Sequence, residues 1–164
     1  MPYSTASYKE EVYKHITATV TPDAKLLDVG PGAGKYGAGL RHLDVDAVEI
    51  YEPYVDRFEL KQIYKNVYCD DILSFNWSSY DYIILGDVLE HIELSKAQKL
   101  ISDITRLGKK CLVAVPYMFE QGEWEGNTYE THLQPDLTPE NMLIRYPELK
   151  FLIGEAGYGY YINY

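Results

Sequence analysis

Lys25-Leu26-Leu27-Asp28-Val29-Gly30-Pro31-Gly32-Ala33-Gly34-Lys35-Tyr36-Gly37 decides the fold. Leu26, Leu27 and Val29 form an apolar run that ends in glycines and leads into a helical pattern, which is how a buried parallel strand turning at its carboxyl end reads. Glycine suits such a turn because it accepts positive φ and has no Cβ to hold a ligand off the backbone. Open α/β sheets bind their ligands at the carboxyl ends of such strands.

On either side of that stretch, strands alternate with helices. Before it, Ser7-Tyr8-Lys9-Glu10 reads as a capping box, followed by an apolar stripe at Tyr8, Val12, Ile16 and Val20. This gives an N-terminal helical segment within residues 1–22, closed by Pro22. After it comes a short helix from Lys35 to Leu43, then strands at 47–50, 66–69, 82–85 and 111–115. A helix from Ser95 to Leu107 carries Leu94, Ala97, Ile101, Ile104 and Leu107 on its inward face. Residues 117–135 form a long loop, and Thr138-Pro139 opens another helix with a threonine cap and proline at its first position. The tail holds two strand-like runs joined by Gly154-Glu155-Ala156-Gly157, too short for a parallel crossover, so they form an antiparallel hairpin at one edge. The pattern predicts one α/β domain over 1–164, with helices on both faces of a largely parallel sheet.

Composition narrows the function. A formal charge of −10 disfavours nucleic-acid backbones as partners. No apolar run approaches the ~20 residues of a membrane span, and the amino terminus lacks a secretory signal pattern. Cys69 and Cys111 share no metal or redox spacing, so they read as reduced, buried thiols of a cytoplasmic protein.

Acidic residues collect where the strands end: Asp28 before the turn, Glu49 ending the second strand, Asp70 and Asp71 ending the third, Asp87 and Glu90 following the fourth. Such a row repels itself unless donors or a cation satisfy it. Helix capping explains any one of these acids. The whole row is better explained by an elongated nucleoside: an acid after the second strand accepts ribose hydroxyls, and one after the third accepts the adenine amine. The carboxylate and backbone around the first turn suit an ammonium group.

Asp28-Val29-Gly30-x-Gly32-x-Gly34, then Glu49, then Asp71-Ile72, then Tyr80 to Glu90-His91 resembles the class I S-adenosylmethionine-dependent methyltransferases. The resemblance runs from about Leu26 to Pro116, and Asp87-Val88-Leu89-Glu90-His91 is its most specific part. It implies a doubly wound, Rossmann-like sheet of seven strands in the order 3-2-1-4-5-7-6, the seventh antiparallel. It implies S-adenosyl-L-methionine as cofactor, held by Asp28, Gly30, Gly32 and Gly34 at its methionine end. Glu49 would take the ribose, Asp71 and Ile72 the adenine, and Asp87 the sulfonium side. Glutamate stands at 49 where the family pattern has aspartate, and the Asp70-Asp71 pair leaves two candidates for the adenine.

The implied reaction is methyl transfer by in-line displacement, with the acceptor a small molecule or another unidentified group and the oligomeric state open. His91 and His132 are the candidate catalytic bases. Glu130, His132 and His91 are also possible metal donors, but their spacing matches no known metal signature, so no metal is expected. A rival reading takes Gly32-Ala33-Gly34-Lys35-Tyr36-Gly37 as a GxGxxG fingerprint with Glu52 as its ribose acid, giving an NAD(P)-dependent oxidoreductase. Pro31 ends the strand too early for that fingerprint, which also predicts nothing at Asp71 or Asp87. A third reading is a protein that binds the cofactor without turnover.

Overall fold

The computed structural model describes residues 6–164. Its seven strands are β1 (Lys25–Val29), β2 (Asp44–Glu49), β3 (Val67–Cys69), β4 (Tyr82–Gly86), β5 (Lys110–Pro116), β6 (Lys150–Glu155) and β7 (Tyr158–Ile162). They form one sheet in the order β3-β2-β1-β4-β5-β7-β6. The helices are α1 (Lys9–Thr19), α2 (Lys35–Gly39), α3 (Pro53–Arg57), α4 (Leu94–Arg106) and α5 (Pro139–Arg145). This is the α/β sheet order of the class I methyltransferase fold. The chain resolves into two compact units that divide between Ile84 and Leu85.

In the amino-terminal unit, β1 pairs with β2 in parallel, Val29 opposite Val48, and β2 with β3, Glu49 opposite Cys69. Leu26, Leu27, Ala47 and Val48 are buried, as expected for strands covered on both faces. α1 buries Val12 and Ile16 and packs on α2, where Tyr13 Oη donates to the carbonyl of Lys35 at 2.9 Å. The expected capping box does not form. The helix starts at Lys9, after Tyr8 in a left-handed conformation with no side-chain cap bond, and the acidic first turn (Glu10, Glu11) complements the helix dipole instead.

In the carboxyl-terminal unit, β7 runs antiparallel to both β5 and β6, Ala114 opposite Tyr160 and Gly154 opposite Gly159. Four glycine-flanked residues are too few to carry the chain back for a parallel pairing. α4 is capped by Glu93, whose Oε1 accepts from the Ser95 amide at 3.0 Å. It buries Ala97, Leu100, Ile101 and Ile104. Leu107, expected inward, is 47% exposed because the helix ends at Arg106 and Gly108 turns the chain away at positive φ. α5 has the expected Thr138 cap, which accepts from the Asn141 amide at 3.0 Å.

The cysteines separate. Cys111 is buried in β5, whereas Cys69, expected buried, is exposed at the end of the sheet-edge strand β3.

Candidate functional site

The turn after β1 takes three left-handed glycines in succession, Gly30 at φ 57°, Gly32 at 49° and Gly34 at 75°. Side-chain-bearing residues rarely adopt that conformation. The Gly30 amide donates to the Val48 carbonyl at 2.9 Å, which carries the ladder one residue past β1 and seats the loop beside the end of β2. The Gly34 amide closes the turn onto the Pro31 carbonyl at 2.8 Å.

Asp28 lies beneath this loop with 1% exposure. Tyr64 Oη donates to its Oδ2 at 2.5 Å and accepts the Gly37 amide at 3.2 Å. Burial pushes the Asp28 carboxyl up to about 7, against the Tyr64 hydrogen bond and the Lys9 ammonium, both of which favour the charged form. Lys9 is itself buried, its Nζ 3.9 Å from the centroid of the Tyr36 ring. The acid is thus tied to the framework that holds the glycine turn, rather than presented at its rim.

Glu49 ends β2 next to the loop at 4% exposure, with Oε1 accepting the Tyr51 amide at 2.8 Å. After β3, Asp70 Oδ1 accepts from the Asp71 amide at 2.8 Å and from Ser74 Oγ at 3.1 Å. Asp71 Oδ1 accepts from the Leu73 amide at 2.9 Å, and Ile72 is buried beside them. Parallel register puts the glycine turn, Glu49 and the Asp70-Asp71-Ile72 turn along one edge of β1–β3. A separate cleft of about 620 Å³, lined by Leu40, Arg41, Asp44, Gln62, Ile63 and Lys65 among others, opens near the starts of β2 and β3, away from that edge.

The carboxyl-terminal unit holds the second group of candidates. Asp87 follows β4 in a left-handed conformation, φ 57°, and its Oδ2 accepts from Tyr158 Oη at 2.8 Å. A non-glycine residue held there carries backbone strain, which tends to collect at functional positions. Three residues on, Glu90 is 1% exposed, and neither carboxyl oxygen has a hydrogen-bond partner among the described residues. Burial drives its pKa well above the usual range, reinforced by the charges of Asp87 and Glu130.

His91 and His132, forty-one residues apart in sequence, meet edge to face with ring centroids 4.7 Å apart. Each Nδ1 faces a carbonyl oxygen, Thr131 at 3.2 Å from His91 and Phe119 at 2.7 Å from His132. A carbonyl can only accept, so each Nδ1 carries the hydrogen and each Nε2 keeps a lone pair. Burial and the neighbouring His132 push His91 down to about 4, and burial also lowers His132, so both rings are neutral near pH 7.

The loop at 117–135 makes this meeting possible. The amides of Leu133 and Gln134 donate to the Glu90 carbonyl at 2.7 and 3.0 Å. Gln134 Nε2 donates to the carbonyls of Leu89 at 2.8 Å and Ile92 at 3.0 Å, while Tyr146 Oη donates to its Oε1 at 3.0 Å. The loop is therefore fastened to the turn that bears Glu90 and His91. Glu130, considered as a metal donor from sequence, instead holds Gln121 Nε2 at 3.1 Å. Tyr64, Gln134 and Tyr158 escaped the sequence reading, since each acts on a residue far away along the chain. Glu90 stood in plain view within Asp87–His91, but its bare burial is a tertiary property.

The sequence model of the family described as "Methionine biosynthesis protein MetW" matches residues 10–132. No curated protein matches in sequence. Among solved structures, the CcbJ methyltransferase from Streptomyces caelestis shares the fold at TM-score 0.68 and 12% identity, over 94% of this chain and 88% of that one. The N-terminal domain of EvdMO1 with SAH bound does so at TM-score 0.66 and 11% identity, over 94% and 79%. PigF with SAH matches at TM-score 0.62 and 15% identity over 85% of this chain, which spans only 50% of the PigF chain. No described helix is long and apolar enough to cross a membrane. With the family match running from α1 through the glycine turn and the Asp87–His91 segment to His132, the chain belongs to the MetW family.

Proposed function

We propose that the protein binds S-adenosyl-L-methionine along the carboxyl edge of β1–β3 and transfers its methyl group to an acceptor nucleophile by in-line displacement. The observation that carries this reading is Glu49, the terminal residue of β2, set beside a turn of three left-handed glycines. The donor set fits the cofactor. Backbone free of Cβ atoms at Gly30 and Gly32 suits the methionine end. The Glu49 carboxylate suits two ribose hydroxyls, and Asp71 or Asp70 with Ile72 suits the adenine amine and ring. Asp28 acts from below, fixing the turn through Tyr64 and Gly37. Asp87 keeps the sulfonium-side role that the family resemblance gives it. The SAH-bound structures that share this fold support the same choice.

The bound cofactor supplies a methyl group already activated by the sulfonium. The chain's own task is then to align an acceptor with that methyl and to exclude water. An acceptor that must lose a proton can give it to Nε2 of His91 or His132, both neutral and both with a lone pair on that atom.

Thermal denaturation with S-adenosylhomocysteine tests the reading. At 100 times its dissociation constant the ligand should add about 2.7 kcal/mol of stability, and NAD should add none. A rise with NAD and none with S-adenosylhomocysteine would overturn the assignment.

A further inference from the structure

We propose that Glu90, His91 and His132 form a binding site for a single divalent transition-metal ion of the zinc type. One carboxylate oxygen and one nitrogen from each ring all lie within 4.8 Å of one another. Two ligands each ~2.1 Å from one ion sit no more than ~4.2 Å apart, so closing the widest pair takes a side-chain movement of about half an ångström. Two imidazoles and one carboxylate are a donor set that suits zinc and iron rather than magnesium or calcium.

Three observations beyond proximity point to a cation. Glu90 is 1% exposed, yet neither oxygen has a hydrogen-bond partner among the described residues. A carboxylate buried in that way costs several kcal/mol unless a proton or a cation neutralises it. Next, Nδ1 of each histidine is engaged by a backbone carbonyl, at 3.2 and 2.7 Å, which aims the Nε2 lone pair away. Metal-ligating histidines are held by that same outer arrangement, which fixes ring and tautomer before the ion arrives. Finally, the carboxylates of Asp87 and Glu130 also bear on Glu90, and each adds to the attraction for a divalent ion.

The proposal does not rest on the cofactor reading, and the two fail separately. An ion would occupy the same lone pairs that a proton acceptor would use, so each ring serves one role at a time.

The test uses the full chain, freed of metal by chelation and titrated with Co²⁺ while its visible absorption is recorded. One equivalent of Co²⁺ should bind with ligand-field bands, Zn²⁺ should displace it, and excess Mg²⁺ should not. His132→Ala, in the partly exposed ring, should lower Co²⁺ affinity by more than about 100-fold, beyond what loss of an outer-shell partner costs. Glu90→Gln should do the same. If circular dichroism shows that Glu90→Gln does not fold, His132→Ala decides the matter. His42→Ala, outside the cluster, should bind as the parent does. Absence of stoichiometric uptake, uptake unchanged by His132→Ala, or displacement by Mg²⁺ would overturn the proposal, whatever S-adenosylhomocysteine does.

Discussion

Asp28→Asn should change how stability depends on pH, by an amount the structure fixes. The parent carboxyl is buried in the folded protein and carries a pKa of about 7, against 3.8 for a solvated aspartate. Its folded-state value is raised, so the folded chain binds the proton more tightly than the unfolded one. Its contribution is therefore complete below pH 3.8 and is lost as pH climbs through about 7. The difference between the two values corresponds to about 4 kcal/mol, spread over that window at a slope of no more than ~1.4 kcal/mol per pH unit. Asparagine has nearly the same shape, can still accept from Tyr64 Oη, and does not titrate. Urea unfolding of both proteins from about pH 4 to about pH 8 isolates the effect, because every other group cancels in the difference. Relative to the parent, the variant should gain about 4 kcal/mol across the range. A difference that stays flat within about 1 kcal/mol would refute the placement of a buried, protonatable acid beneath the glycine turn.

Gly34→Ala should cost about 1–3 kcal/mol by chemical denaturation, because its φ is 75° and the new Cβ would lie 2.6 Å from Ile63 Cδ1. An unchanged midpoint would mean that the turn relaxes freely. Glu49→Ala should weaken S-adenosylhomocysteine binding by about 10- to 100-fold in calorimetry, the value of one or two hydrogen bonds to a charged acceptor. Equal affinity would remove Glu49 from the ribose site. Gln134→Ala should cost about 1–3 kcal/mol, since the Leu89 and Ile92 carbonyls lose a common donor in a buried setting. It should also speed proteolysis of the 117–135 loop. Intact resistance would show that the loop is held by other contacts. Tyr158→Phe removes the hydroxyl that donates to Asp87 at 2.8 Å, and should raise KM for the methyl donor more than it lowers kcat.

The framework was legible because periodicity and punctuation are local. The apolar run into glycines located β1, and the short Gly154–Gly157 link dictated the antiparallel pairing of β6 with β7. Glu49, Asp70 and Asp71 could be placed along one edge once β1–β3 were known to be parallel. Errors arose where tertiary context sets the outcome. Cys69 looked like core but belongs to an edge strand, and Leu107 fell one residue beyond its helix. Ser7-Tyr8-Lys9-Glu10 has the residues of a capping box, yet the chain enters α1 through a left-handed Tyr8. At the site, the residue types were visible but their engagements were not. No local pattern announces that Tyr64 will bond to Asp28, or that His132 will reach His91. The metal signature was sought in Glu130, whereas the fold brings in Glu90, adjacent to His91 in sequence and so invisible to a spacing rule.

Leu133 and Gln134 anchor one end of the 117–135 loop to the backbone of Glu90. Gln121 belongs to the root as well, its carbonyl accepting the His132 amide at 2.9 Å. Residues 122–126, by contrast, are mostly exposed. The loop therefore has a fixed root and an open tip. A descendant acquiring a new acceptor has room to lengthen or rewrite the tip without disturbing the paired imidazoles, whereas an insertion at the root would pull them apart. Diversification of substrate choice should accordingly be confined to those five positions, with chemistry at the root inherited unchanged.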